Sequence, residues 1–143
     1  MTVRQILESK GRAVETISPD VAVSDAVAIL SERRIGALVA LSEGGRVAGI
    51  LSERDVVRII GRDGPEALTR KVADVMTTKV VTAREEMTVD EVMDLMTRGR
   101  FRHLPVCEDG VLVGVISIGD VVKARLSELA MEKKALEGMI MGY

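Results

Sequence analysis

The segment Gly49-Ile50-Leu51-Ser52-Glu53-Arg54-Asp55-Val56-Val57 returns as Gly114-Val115-Ile116-Ser117-Ile118-Gly119-Asp120-Val121-Val122, an offset of 65. A glycine, two aliphatics, a serine and an aspartate three residues on recur in the same order. An internal repeat constrains architecture before any local propensity does, because each copy must adopt one supersecondary unit. The repeated stretch also joins an apolar strand pattern to a helix start and carries two polar side chains there.

The repetition extends upstream. Val23-Ser24-Asp25-Ala26-Val27-Ala28-Ile29-Leu30 aligns with Val89-Asp90-Glu91-Val92-Met93-Asp94-Leu95-Met96 at an offset of 66, and Thr16 falls on Thr82. The missing residue lies where Ser42-Glu43-Gly44-Gly45-Arg46 shortens to Glu108-Asp109-Gly110, a hairpin turn that tolerates deletion. The organisation predicted is an N-terminal segment (1–12), a first repeat (13–60), a linker and lead-in (61–78), a second repeat (79–126) and a C-terminal helical extension (127–143). Units of about fifty residues are marginal alone, so the two are expected to share an interface.

Composition narrows the function classes. Residues 1–71 carry 11 basic and 10 acidic side chains and residues 72–143 carry 9 and 12, for a net charge of −2. Neither half has the basic footprint of a duplex binder. With Phe101 and Tyr143 the only aromatics, the chain lacks the stacking platforms of single-strand binders. Nucleic acid is therefore not expected as a partner. The apolar runs are short and interrupted, so no membrane span is expected, and no secretory pattern opens the chain. One cysteine, Cys107, excludes an intrachain disulfide and reads as a buried small hydrophobe. A cytoplasmic address is the simplest expectation.

Each copy reads strand, helix, strand, turn, strand, helix. Strands are predicted at 14–17, 37–41 and 47–51, and at 80–83, 104–107 and 111–116. The first helix of each copy should open near Ser24 and Thr88, where Thr88-Val89-Asp90-Glu91 fits a capping box with the acidic side chain reaching back. Val23, Val27 and Leu30, and Val89, Val92, Met93 and Met96, recur at helical spacing and should face the core. The closing helices follow Ser52 and Ser117, the first stopping around Gly61-Arg62-Asp63-Gly64-Pro65, where two glycines and a proline fall together. Val72 to Met76 mirrors Val3 to Leu7 as a lead-in. Leu126, Leu129, Lys133 and Leu136 give the last helix a partly apolar stripe, read either as a face for a partner helix or as a solvated tail.

Two features could carry chemistry. Ser-x-x-Asp has a structural reading as a helix-capping pair. It also sits where a strand end feeds a helix N-terminus, a common place to hold anions and ribose hydroxyls. Arg100-Phe101-Arg102-His103-Leu104-Pro105-Val106 gathers two arginines and the only histidine beside an apolar strand. Guanidinium forks suit phosphate, while a solvated basic loop is the alternative. The first copy has Arg33-Arg34-Ile35-Gly36-Ala37-Leu38-Val39, with Gly36 and Ala37 where Arg102 and His103 stand. One histidine and one cysteine cannot make the usual zinc site. Neither serine has a base beside it in sequence, and no phosphate-cradling Gly-rich loop or nucleophile elbow occurs. No catalytic residues, metal ligands or catalytic cofactor are expected, and the chain does not read as an enzyme.

The duplicated Gly-h-h-Ser-x-x-Asp-h-h (h, hydrophobic), the Arg-His-Leu-Pro-Val strand, Val75-Met76-Thr77 and Thr16-Ile17-Ser18-Pro19 together resemble the tandem CBS domain, the cystathionine β-synthase-type repeat or Bateman module. The resemblance covers almost the whole chain. It implies an α+β fold of two β-α-β-β-α repeats with pseudo-two-fold symmetry and two clefts between them. It also implies adenosine-containing ligands: AMP, ADP or ATP first, NAD or S-adenosylmethionine as further candidates. Carried over by position, Asp55 and Asp120 would hold ribose hydroxyls, and Ser52 and Ser117 ribose or phosphate. Arg54, Arg102 and His103 would lie near phosphate, and Thr16 and Thr82 would meet adenine. Val14, Gly36 and Ala37 complete the first-repeat site, and Lys79, Val80, Leu104, Pro105 and Gly119 the second.

The resulting expectation is a stand-alone regulatory or energy-sensing module, with homodimers of the kind the family forms and an effector protein that reads its shape. The alternative is an interaction or assembly module whose clefts are vestigial. Val39 in place of Pro105, with no basic pair at Gly36-Ala37, makes the Asp120 site the stronger candidate for a phosphorylated ligand.

Overall fold

The duplicated sequence becomes a duplicated run of elements in the computed structural model, which describes residues 1–140. In chain order these are α1 (Val3–Lys10), β1 (Thr16–Ile17), α2 (Val23–Arg33), β2 (Ala37–Leu41), β3 (Val47–Ser52), α3 (Glu53–Asp63), α4 (Val72–Val75), α5 (Val89–Gly99), β4 (His103–Glu108), β5 (Val111–Ser117) and α6 (Ile118–Ile140). Short 3-10 turns at Glu43–Gly45 and Pro65–Thr69 complete the α+β set. The chain groups into two compact units, one of residues 13–81 with 108–112, the other of residues 1–12, 82–107 and 113 onward.

In the first of these units β1 pairs parallel with β2, and β2 pairs antiparallel with β3. Val23, Ala26 and Leu30 share one face of α2, three and four residues apart. They pack with Ile17, Leu38, Ala40, Leu51, Val56 and Val72 into one apolar core. Helix α2 opens one residue before the expected Ser24. Ala22 is its cap residue, and the Asp25 carboxylate accepts the Ala22 amide at 3.2 Å, so no hydroxyl is needed. Helix α3 runs past Gly61, which costs an exposed helix about 1 kcal/mol without breaking it. Gly64 (φ +82°) followed by Pro65 ends it, within the stretch where the stop is expected.

In the other unit, Thr2 and Gln5 form a reciprocal capping box at the start of α1, which buries Val3, Ile6 and Leu7. The backbone amides of Val3 and Arg4 donate to Met87 and Glu85, tying α1 to the approach of α5. The Thr88 hydroxyl caps α5 by accepting the Glu91 amide at 3.1 Å. Glu91 does not return the bond, so half of the expected capping box is formed. Val89, Val92 and Met96 are buried, as the helical spacing predicts. Between β4 and β5, Asp109 and Gly110 both have positive φ (52° and 79°), as a two-residue type I′ hairpin turn requires.

The strand expected over residues 80–83 is reduced to a single bridge, Ala83 with Val106. The Ala83 amide donates to Pro105 O and its carbonyl accepts from Cys107 N, both at 2.9 Å. The next rung toward Val81 would need an N–H at residue 105, which proline lacks. In the first repeat Val39 occupies that position, and β1 gains a second residue, Thr16. Cys107 is buried and forms no disulfide among the described residues. Among the described residues, no helix is long and apolar enough to cross a membrane.

Candidate functional site

Each repeat ends its hairpin on a serine that immediately starts a helix. In the first, Ser52 keeps extended backbone as the cap of α3. Its hydroxyl accepts the Asp55 amide at 3.1 Å, and Asp55 Oδ2 accepts the Ser52 amide at 2.9 Å. The Glu53 amide, one of the first-turn donors with no intrahelical acceptor, bonds the Gly36 carbonyl at 2.9 Å. Ala37 pairs with Ser52 and Thr16 with Val39. Thr16 therefore lies two strand positions along from Ala37, about 7 Å. Gly36, Ala37, Ser52, Asp55 and Thr16 thus converge within one unit. Val14 is half-buried, and Thr16 and Arg54 are exposed.

The second repeat rebuilds this junction bond for bond. Ser117 Oγ accepts the Asp120 amide at 3.1 Å, Asp120 Oδ2 accepts the Ser117 amide at 2.8 Å, and the Ile118 amide bonds the Arg102 carbonyl at 2.8 Å. The pinned Arg102 backbone leaves its exposed guanidinium without an ion pair among the described residues. His103 follows, half-buried, at the start of β4. Leu104 and Pro105 are buried and belong to the core; the Pro105 carbonyl is spent on Ala83. Thr82 and Gly119 are exposed. Lys79 and Val80, by contrast, group with residues 13–81 and not with the unit that holds Asp120.

One neighbour of Asp120 escapes the sequence pattern. Lys10, at the end of α1, places its ammonium 2.6 Å from Asp120 Oδ2 and 2.9 Å from the Val115 carbonyl. Burial pushes the Asp120 carboxyl up, but the Lys10 and Ser117 donors outweigh it and hold the group below the usual carboxylate range. Among the described residues Asp55 has only Arg58, on its own helix, at 3.6 Å with its side chain 71% exposed. No group of three or more His, Cys, Asp or Glu among the described residues is arranged to hold a metal.

Comparison with known proteins identifies the family behind the duplicated fold. The CBS domain family model matches residues 3–62 and 72–127. A CBS domain-containing mitochondrial protein of Arabidopsis thaliana is 37% identical over 99% of this chain and 72% of its own length. The inosine-5'-monophosphate dehydrogenase of Methanocaldococcus jannaschii is 35% identical over 85% of this chain, which spans only 24% of that enzyme. A CBS-domain protein from Agrobacterium tumefaciens superposes with a TM-score of 0.83 at 46% identity, covering 87% of this chain and 92% of that one. A CBS domain pair crystallised with 5'-methylthioadenosine and S-adenosylmethionine shares the fold at a TM-score of 0.79 and 23% identity, covering 90% of this chain and 98% of that one. The chain belongs to the CBS domain family, as a tandem pair with one domain in each repeat.

Proposed function

We propose that this CBS pair is a regulatory module that binds adenosine-containing ligands at its serine–aspartate junctions, AMP, ADP or ATP first among them. One observation carries the reading. In both repeats the helix cap uses a single aspartate oxygen, Oδ2, so capping and ligand binding do not compete for the whole carboxylate. The remaining oxygen can accept a ribose hydroxyl at a strand-to-helix turn, where first-turn amides favour anions. The uncommitted guanidinium of Arg102 supports a phosphate-bearing ligand in the second repeat, and Arg54 offers a comparable group in the first. That a pair of the same fold takes methylthioadenosine and S-adenosylmethionine extends the ligand panel.

A thermal-shift panel of AMP, ADP, ATP, NAD and S-adenosylmethionine tests this, since a ligand that binds only the folded state raises Tm. At least one should raise it, by an amount growing with concentration. Asp55→Asn with Asp120→Asn should abolish the shift, because asparagine keeps an oxygen for the cap but turns a donor toward the hydroxyl. No shift with any of the five at millimolar concentration rejects the reading.

Assembly is a second part of the proposal. Leu126 (62% exposed), Leu129 (44%) and Leu136 (59%) put apolar surface on the outside of α6. This supports a homodimer through that helix, with a separate effector protein reading the ligand state. A concentration series by sedimentation, with Leu126→Lys as the control, checks it.

A further inference from the structure

Lys10 is not part of either repeated motif, yet it occupies the acceptor that the second repeat's aspartate presents. A carboxylate offers about four lone-pair sites on two oxygens. At Asp120, Oδ2 already takes the Ser117 amide and the Lys10 ammonium, 2.8 and 2.6 Å away. A vicinal diol that bridges both carboxylate oxygens needs the lone pair Lys10 holds. At Asp55 the corresponding oxygen accepts only the Ser52 amide among the described residues, and Arg58 stands 3.6 Å from the other oxygen, too far to hydrogen-bond. The Lys10 ammonium is also anchored by the Val115 carbonyl at 2.9 Å, so its position does not depend on the carboxylate alone.

We propose that Lys10 is a built-in competitor for the second half-site: a ribose diol bridges both oxygens of Asp120 only by displacing this ammonium. Release of Lys10 is then part of ligand capture, and occupancy of the site is coupled to the C-terminal end of α1. Gly11, which follows at φ +100°, gives the backbone room to turn there. The opposite assignment, Lys10 as a donor to the ligand's phosphate, fits less well, because two protein acceptors already hold it.

This inference rests on the ribose reading of Asp120, so the test separates the two. In an Asp55→Asn background, adenosine and AMP are titrated calorimetrically against chains with and without Lys10→Met. Methionine keeps the helix, and Lys10 lies on an exposed helix end. Removing a partly exposed ion pair should tighten adenosine roughly 2- to 5-fold. Adenosine binding that Asp120→Asn abolishes but Lys10→Met leaves unchanged overturns the competitor and spares the ribose site. A selective loss of AMP in Lys10→Met also overturns it, making Lys10 a phosphate contact. If neither probe binds any variant, the ribose reading fails and the competitor with it. Without any ligand, carboxyl NMR should show Asp120 titrating at higher pH in Lys10→Met; no change means the contact is not made in solution, which also overturns the proposal.

Discussion

The junctions at Ser52–Asp55 and Ser117–Asp120 share every internal bond but not their surroundings. Among the described residues the cation that approaches Asp55 is Arg58, one turn along the same helix, whereas Asp120 is held by Lys10 from the far end of the sequence. The register that puts Val3 on Val72 also puts Lys10 on Lys79, so both lead-ins carry the lysine. What differs is helix length. Helix α1 runs eight residues and carries Lys10 in its last turn; α4 stops after four, and its backbone is already extended at Met76. Thr77 then pairs with Ile50, and Lys79 makes no ion pair among the described residues. A local motif can therefore be copied faithfully while its electrostatics are set by a segment outside it.

The largest contrast should come from the glycines that open the two motifs. A Cβ on Gly49 would lie 2.8 Å from the Thr77 carbonyl oxygen and closer still to Met76, whereas the nearest atoms to one on Gly114 all belong to the Leu7 side chain, the first at 2.7 Å. Backbone held in a bridge cannot move aside cheaply, but a leucine terminus can shift within its rotamer well. Overpacking of this kind costs about 1–3 kcal/mol. Gly49→Ala is expected near the top of that range and Gly114→Ala near the bottom, by urea denaturation. Equal losses would mean that Leu7 is as immobile as the Thr77 backbone.

These contrasts also mark what the sequence made legible. The repeat, the capping serines, the hairpin turns and the apolar faces of α2 and α5 follow from local pattern, because each depends on residues within a few positions of one another. The strand at 80–83 shrank because Pro105, some twenty residues on, removes a donor. Lys10 could not be placed on Asp120 because their separation of 110 residues is closed only by packing of α1. The matched lysines at 10 and 79 were a signal, but nothing local shows which helix carries its lysine to a carboxylate.

Acid should separate the two junctions by a smaller amount. The folded-state carboxyl of Asp120 is lowered, so the stability it contributes is fully present above the unfolded value of about 3.9 and lost as pH falls through the folded one. Lys10 on α1 and the Ser117 amide on its own junction are the groups that lower it. Lys10→Met should therefore lower stability by up to about 1 kcal/mol at pH 7, given a partly exposed pair. The difference from the unsubstituted chain should shrink once the pH drops below 4. Arg58→Met, beside Asp55, should change little at either pH. A Lys10→Met loss that persists undiminished at pH 3 would assign it to packing.

The smallest effect concerns a feature the repeats hold in common. Arg34 and Arg100, the C-terminal caps of α2 and α5, adopt left-handed backbone at φ 54° and 56°. The amides of Ile35 and Phe101 close back on Leu30 and Met96, the bond pattern of a Schellman cap, which favours glycine. A left-handed L-residue costs about 1–2 kcal/mol, offset in part by the greater unfolded-state entropy of glycine. Arg34→Gly and Arg100→Gly should each raise stability by about 0.5 kcal/mol. Neither arginine forms an ion pair among the described residues that the change would break. The second cap has one further constraint: a Cβ on Gly99 would run into the Phe101 ring, which would have to swing aside, whereas Arg100 faces no such neighbour on changing to glycine. If Arg100→Gly destabilises where Arg34→Gly stabilises, the second cap depends on its arginine, and the two loops leading into β2 and β4 are not equivalent.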